Sequence, residues 1–186
     1  MSQTRSVAVL VGSLRRASLN RKMAVALTTL GQGFNMEIVE IGDLPLYNED
    51  LENASPKPPA WLSFRERIRA ADAVLFVTPE YNRSVPGALK NAIDVGSRPY
   101  GQSVWSGKPA AIVSVSPGVI GAYGANHHLR QSLVFLDMPP MQQPEAYIGG
   151  AATLFDQEGN ITNDTTRQLL ERFMQTFAKW IEKNTA

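Results

Sequence analysis

Residues 6–20 read SVAVLVGSLRRASLN. Five consecutive apolar residues, Val7 to Val11, run directly into Gly12. A short, valine-rich run bounded by a glycine is the pattern of a strand buried on both faces. Two serines, two arginines and an asparagine follow, and then a helical pattern over about Asn20 to Leu30, with Met23, Leu27 and Leu30 on one face. A buried strand feeding a polar loop and a helix start is where an anion is held. The first N–H groups of the helix are unpaired there and carry the positive end of its dipole. Ser13, Ser18 and Asn20 add side-chain donors, and Arg15 or Arg16 adds charge. Ser18 or Asn20 also suits the helix cap. Capping does not account for Ser13, Arg15 and the other donor together, so a phosphate is expected here.

Outward from this stretch, strand and helix patterns alternate. Strands are expected at Met36–Ile41, Ala73–Val77 and Ala110–Val115, with a weak fifth near Met141 or Tyr147–Ile148. Helices are expected at about Ala60–Ala71, Ala88–Val95, Ala125–Leu136 and Asp164–Lys183, the last capped by Asn163. The stripe of the second is Trp61, Phe64, Ile68 and Ala71, with Arg65, Glu66, Arg67 and Arg69 filling its other positions. Gly42–Pro59 reads as a long connection. Apolar strands alternating with helices predict an α/β fold, a parallel sheet covered on both faces through right-handed crossovers. Polar loops follow strands one, three and four: Gly12–Asn20, Thr78–Gly87 and Ser116–Gly124. Those strands would be neighbours in the flavodoxin-like order 2-1-3-4-5. Ligands of such sheets bind at the carboxyl ends of the strands, so one shared site is expected rather than three.

Composition narrows the chemistry. At 186 residues and 44% hydrophobic, the chain has enough apolar surface for one core, and is read as a single domain over residues 1–186. The net charge of +1 gives no basic stripe, so nucleic acid is excluded as a partner. No apolar run approaches the about 20 residues of a membrane span, and the polar first six residues do not read as a signal peptide. There are no cysteines, which excludes disulfides, thiolate zinc sites, ordinary iron–sulfur ligation and a cysteine nucleophile. Any redox chemistry then needs a cofactor. A reducing cytoplasm is the plain reading of the composition.

The loops exclude further classes. A dinucleotide fingerprint needs three glycines, and here the matching positions are Gly12, Leu14 and Ala17. No Gly-Lys-Ser/Thr follows, so there is no P-loop. A Ser/Asn-rich turn suits a terminal phosphate monoester. In the second loop, Pro79, Pro86 and Gly87 form rigid corners around Glu80, Tyr81, Asn82, Arg83 and Ser84, a frame that presents backbone groups along a planar ring or simply turns into the next helix. The third, from Ser116–Pro117–Gly118, is glycine-rich and lets a ligand approach backbone, or is an ordinary turn. His127 and His128 are adjacent, lack metal spacing, and read as helix surface or subunit contact. No metal site is expected, and no Gly-x-Ser-x-Gly elbow is present.

On three pieces, GSLRRASLN at 12–20, TPEYNRSVPGALKNAID at 78–94 and SPG at 116–118, the chain resembles the NADPH-dependent FMN reductase family of flavodoxin-like proteins. Within it the chain looks most like the bacterial quinone and chromate reductase branch. The resemblance implies a flavodoxin-like three-layer α/β sandwich, a five-stranded parallel sheet of order 2-1-3-4-5 with helices on both faces. It implies FMN, with Ser13, Arg15, Ser18, Leu19 and Asn20 at the phosphate and ribityl end. Pro79, Glu80, Tyr81, Asn82, Arg83 and Ser84 would line the isoalloxazine, and Ser116 would touch it from the third loop. Many relatives carry tryptophan after the Asn-Ala-Ile-Asp run, where this chain has Val95. The implied reaction takes a hydride from NADPH or NADH to flavin N5 and two electrons on to quinones, with chromate and other oxidants as further acceptors. No catalytic side chain is implied. Homodimers or homotetramers are implied, with the flavin near an interface. Two alternatives stand beside this: a flavodoxin-like electron carrier without turnover of its own, which the +1 charge argues against because such carriers are acidic, and a phosphate-binding module without flavin.

Overall fold

A computed structural model describes residues 4–31 and 33–185. Residues 1–3 of the polar start lie outside the described residues. Five parallel strands form one sheet: β1 (Arg5–Val11), β2 (Phe34–Ile38), β3 (Ala73–Thr78), β4 (Ala110–Val115) and β5 (Ala146–Ile148), in the spatial order β2-β1-β3-β4-β5. Every residue of β3 and β4 is buried, which is why both read as mainly apolar runs, with Thr78 and Ser114 as their polar members. Alternate side chains feed two cores. Val7, Val9, Val11, Leu75, Val77, Val113 and Ile148 face α1 (Leu19–Leu30) and α6 (Asp164–Asn184). Ala8, Leu10, Val74, Phe76 and Ile112 face α3 (Pro59–Ala70), α4 (Gly87–Gly96) and α5 (Tyr123–Phe135). Full burial of each such Leu or Phe contributes about 1.5–3 kcal/mol, so both faces hold the sheet rigid.

Three features depart from the sequence pattern. β2 lies earlier than the expected Met36–Ile41. Phe34, Met36 and Ile38 alternate with exposed Asn35 and Glu37, and the chain leaves the ladder after Val39 N–H donates to the Val9 carbonyl at 2.9 Å. Val39 and Ile41 are then buried against the opposite core. The long connection contains a one-turn helix, α2 (Glu49–Asn53), capped by Asn48. The third departure is Arg65, which does not fill a solvent face. Arg65 and Glu52 are each 4% exposed, and the guanidinium meets the Glu52 carboxylate at 3.2 and 2.5 Å and the Val95 carbonyl at 2.8 Å. Lys57 reaches the same carboxylate at 3.0 Å. Burial pushes the Glu52 carboxyl up, but the hydrogen bonds and charges of Arg65 and Lys57 outweigh it and hold it below the ordinary value. This clamp, with Asn91 accepting from Tyr47 N–H at 2.8 Å and Trp61 Nε1 donating to Pro45 at 2.9 Å, pins the long connection to α3 and α4. Trp61 and Trp105 are fully buried. Tyr47 stacks on Trp61 at 5.6 Å, and Tyr100 stands exposed.

Candidate active site

Three segments leave the carboxyl edge of the sheet side by side. Val11 pairs with Val77, and Gly12 N–H donates to the Val77 carbonyl at 2.9 Å. A Cβ at Gly12 would lie 3.1 Å from both Pro79 Cδ and Thr78 Oγ1, so a residue without a side chain lets the first two loops depart in contact. Thr78 pairs with Ser114 on the next strand, and Ser116 N–H donates to Ile148 at 3.0 Å.

In the first loop Ser13 is buried, while Leu14 to Ala17 are exposed. The cap of α1 is Ser18, whose oxygen accepts from Arg21 N–H at 3.1 Å. Its own O–H stays available as a donor. Leu19 packs against the core. Asn20 lies in the first turn of the helix, not at its cap. Its Nδ2 donates to the Val115 carbonyl at 3.3 Å, which ties α1 to the end of β4 and fixes the amide orientation. Asn20 Oδ1 is then a buried acceptor with no partner among the described residues. Arg15 is exposed and donates to the Ala17 carbonyl at 2.8 Å, folding over its own loop.

The second loop closes on itself. Tyr81 N–H donates to Ser84 at 3.1 Å and Ser84 N–H to Tyr81 at 3.0 Å, while Asn82 and Arg83 both take positive φ, 52° and 64°. Reciprocal bonds around two left-handed residues are the signature of a type I′ turn. Asparagine tolerates that conformation, whereas arginine is strained by about 1–2 kcal/mol. Pro79 is buried, and Tyr81 to Arg83 project into solvent.

Two side chains of this loop turn toward α5. Glu80 accepts from the Ala125 N–H at 3.1 Å and meets Arg83 at 3.4 Å. A Cβ at Gly124 would lie 2.9 Å from Glu80 Oε2, so glycine admits the carboxylate to the helix start. Ser84 Oγ lies 3.0 Å from His128 Nδ1. Glu80 is thus bound as a helix cap, and His128, read from sequence as helix surface, joins the loop. Two adjacent histidines early in a helix that follows a ligand loop are the one signal of it, since they diverge and one can turn back. The other, His127, bonds Tyr147 at 2.9 Å.

In the third loop Ser116 Oγ donates to Gly118 at 3.0 Å, leaving its lone pairs free to accept. Ser114 Oγ donates to Gly121 at 2.7 Å and accepts from Asn126 Nδ2 at 3.2 Å, so a buried polar chain holds this loop to α5.

The structure therefore gathers the sequence-derived residues on one edge. The donors suit a phosphate: Ser13, the Ser18 O–H, Arg15 and the N–H groups opening α1. The acceptor Asn20 Oδ1 does not, because a phosphate dianion has no hydrogen to give. It calls for a hydroxyl beside the phosphate. A ribityl phosphate offers both, so these residues fit FMN. Among the described residues no cluster of histidine, aspartate and glutamate is placed to hold a metal, and no helix is long and apolar enough to cross a membrane.

Comparison with known proteins gives the family. The model of the NADPH-dependent FMN reductase family matches residues 5–153. A quinone reductase of Pseudomonas putida is 68% identical over the whole of both chains. A 2-hydroxy-1,4-benzoquinone reductase of a Burkholderia species is 48% identical over 94% of this chain and 95% of its own. The flavoenzyme NAD(P)H:(acceptor) oxidoreductase FerB of Paracoccus denitrificans superposes with a TM-score of 0.91 at 46% identity, covering 97% of this chain and 98% of that one.

Proposed function

This chain belongs to the NADPH-dependent FMN reductase family, and from that membership we propose that it is an FMN-dependent NAD(P)H oxidoreductase that reduces quinones by two electrons. The observation that carries the reading to these residues is Asn20 Oδ1, a buried acceptor without a donor, set among phosphate donors. FMN, held by these residues, would supply the redox chemistry that carries two electrons from NAD(P)H to the acceptor.

The chain's own work is binding and placement. Ser13, Arg15, Ser18 and the opening of α1 hold the phosphate, with Leu19 closing the loop against the core. Asn20 receives a ribityl hydroxyl. Pro79 to Ser84 offer turn backbone to the ring edge, held in place by Glu80 at α5 and Ser84 at His128. Ser116 accepts from the ring side. No side chain needs to act as nucleophile, and positioning accounts for the catalysis.

The reading extends to chromate and other oxidised acceptors, since the cofactor rather than a side chain would carry the electrons. A cytoplasmic setting goes with dependence on NAD(P)H. Assembly into a homodimer or homotetramer is supported by large apolar side chains left in water beside the third loop and on α5: Val119 is 93% exposed and Phe135 82%. Sedimentation of the purified protein as a monomer would remove that part.

The deciding experiment is an absorbance spectrum of purified protein, followed by anaerobic NAD(P)H titration and addition of a benzoquinone. Bound flavin bleached by NAD(P)H and restored by quinone is expected. Flavin that does not turn over would favour an electron carrier, and a chain that takes up no FMN would sink both readings.

A further inference from the structure

Beside the first loop, on the side away from β3, lies a cleft of about 430 Å³. It opens between loop residues Leu14, Arg15 and Arg16, residue Arg21 of α1, and the segment leaving β2 at Glu40 and Gly42. Its size is within the range of small-ligand pockets, about 300–1,000 Å³. Three arginines against one glutamate leave it cationic on a chain whose net charge is only +1.

The three arginines are not equivalent. Arg21 is spent on Glu40, held by two hydrogen bonds, one of 3.1 Å. That pairing holds the Glu40 carboxyl below its ordinary value. It also occupies the acid at the end of the second strand, the position that takes ribose hydroxyls in dinucleotide folds. Arg15 is folded onto Ala17 and belongs to the FMN grip. Arg16 is exposed and has no hydrogen-bond or ion-pair partner among the described residues. A guanidinium free to present two parallel N–H groups is the preferred partner of a phosphate monoester. The wall beside it is apolar: Leu14 is 56% exposed, and Gly42 lies against it with room for a Cβ at 3.5 Å.

We propose that this cleft receives the adenosine end of NADPH, the 2′-phosphate on Arg16 and the purine on Leu14, and that it makes the enzyme prefer NADPH to NADH. The proposal rests on the reading of the chain as an NAD(P)H-dependent flavoenzyme. It adds a second anion position at Arg16, in a cleft that shares Ser13 and Arg15 with the FMN phosphate grip, and it gives Glu40 a restraining role. Arg21 cancels the charge of Glu40, and the remaining cation selects the phosphorylated coenzyme.

The test uses FMN-saturated enzyme titrated calorimetrically with 2′,5′-ADP and with 5′-ADP. The 2′-phosphorylated compound is expected to bind at least about tenfold more tightly while the flavin stays bound. In Arg16→Gln that preference falls below threefold, and kcat/KM for NADPH drops about tenfold with NADH turnover unchanged. Glu40→Gln removes the one anion of the cleft, frees Arg21, and tightens 2′,5′-ADP binding. Equal binding of the two compounds to the unaltered enzyme overturns the proposal. So does release of FMN by 2′,5′-ADP, which would make the cleft part of the FMN phosphate site, or an equal loss of NADPH and NADH turnover in Arg16→Gln. Failure of the underlying reading looks different: no bound flavin and no NADH turnover in the unaltered protein.

Discussion

Replacing Asn20 with leucine separates folding from cofactor binding. In the FMN-free protein Asn20 Oδ1 is buried without a donor, a desolvation cost of about 1–3 kcal/mol. The same side chain recovers little through a long bond of 3.3 Å to Val115, near the lower end of the about 0.5–1.5 kcal/mol of a neutral hydrogen bond. Leucine of similar volume removes the orphan acceptor and leaves the Val115 carbonyl without that donor. The two effects oppose each other, so urea unfolding of the FMN-free variant should give a stability within about 1 kcal/mol of the parent. Binding has no such cancellation. Only asparagine repays its buried acceptor when a ribityl hydroxyl arrives, so Asn20→Leu should lose about 1–2 kcal/mol of FMN affinity, about 5- to 30-fold. Flavin fluorescence quenching on titration into FMN-free protein reads this directly. Asn20→Asp should be worse in both assays, because a carboxylate oxygen replaces the donor facing Val115 and adds a charge beside the phosphate. If Asn20→Leu keeps FMN affinity within twofold and unfolds at least 2 kcal/mol more easily, Asn20 is only a strap between α1 and β4 and the reasoning is wrong.

The remaining predictions concern single contacts. Arg15→Ala should weaken FMN retention by about tenfold or more, the loss of a charge-assisted contact of about 1.5–3 kcal/mol; unchanged FMN affinity removes Arg15 from the site. Arg83→Gly relieves a left-handed arginine and should stabilise the fold by about 0.5–1 kcal/mol after the entropy cost of glycine, seen as a raised Tm, while turnover falls if the turn's rigidity serves the flavin. Glu80→Gln should cost about 1 kcal/mol of stability through the weakened cap on α5 yet leave the FMN spectrum unshifted; a displaced flavin band would make Glu80 a ring contact. Glu52→Gln leaves Arg65 buried without its counter-charge and should cost about 3 kcal/mol, or about 6–12 °C in Tm, whereas Glu52→Leu with Arg65→Met should cost less than the sum of its singles. The Glu52 carboxyl is held below its ordinary value in the folded state, so its contribution is present above the unfolded value of about 4.3 and disappears as pH falls through the folded value. Denaturation curves of parent and Glu52→Gln should converge in acid, and a gap that persists there argues against the buried charge.

The central strands were legible because β1, β3 and β4 are mostly apolar runs and each crossover helix carries a stripe at its own period, while the strand order came with the family resemblance. Asn163 was identifiable as a cap, and Leu170, Phe173, Phe177 and Ile181 as the buried face of α6. β2 was placed late because Val39 and Ile41 are as apolar as Phe34 and Met36; sequence does not say that the former turn to the opposite core. Arg65 was missed for a related reason. A helix pattern assigns an arginine between Phe64 and Ile68 to solvent, and only the distant Glu52 and Val95 make its burial tolerable. At the site, the polar residues after the strands were readable as a group, since strand ends are where such a sheet meets its ligand. Their partners were not. Ser18 and Asn20 are equally good caps on paper, and the choice follows from where Val115 ends. Glu80 and Ser84 bond to Ala125 and His128, more than forty positions away, and no spacing rule connects them.

Those long-range partners explain how three exposed loops are held together at one edge of the sheet. Each loop is fastened by its own strap. Asn20 joins the first to β4, Glu80 and Ser84 join the second to α5, and Ser114 with Asn126 joins the third to the same helix. Two of the three straps converge on α5, a helix whose start has no side-chain cap of its own and whose preceding residue, Ala122, takes a positive φ of 59°. Strain of that kind, about 1–3 kcal/mol per residue, persists only where neighbours over-determine the backbone, and here Ser114 holds the adjoining Gly121 carbonyl while the Ala122 carbonyl accepts from Asn126 N–H. The second loop is in turn bonded to the first two turns of that helix through Glu80 and Ser84. None of these straps uses the cofactor, so binding it need not supply the energy that organises the loops. On the proposed function these straps would hold backbone and a few donors still around a group that carries the chemistry.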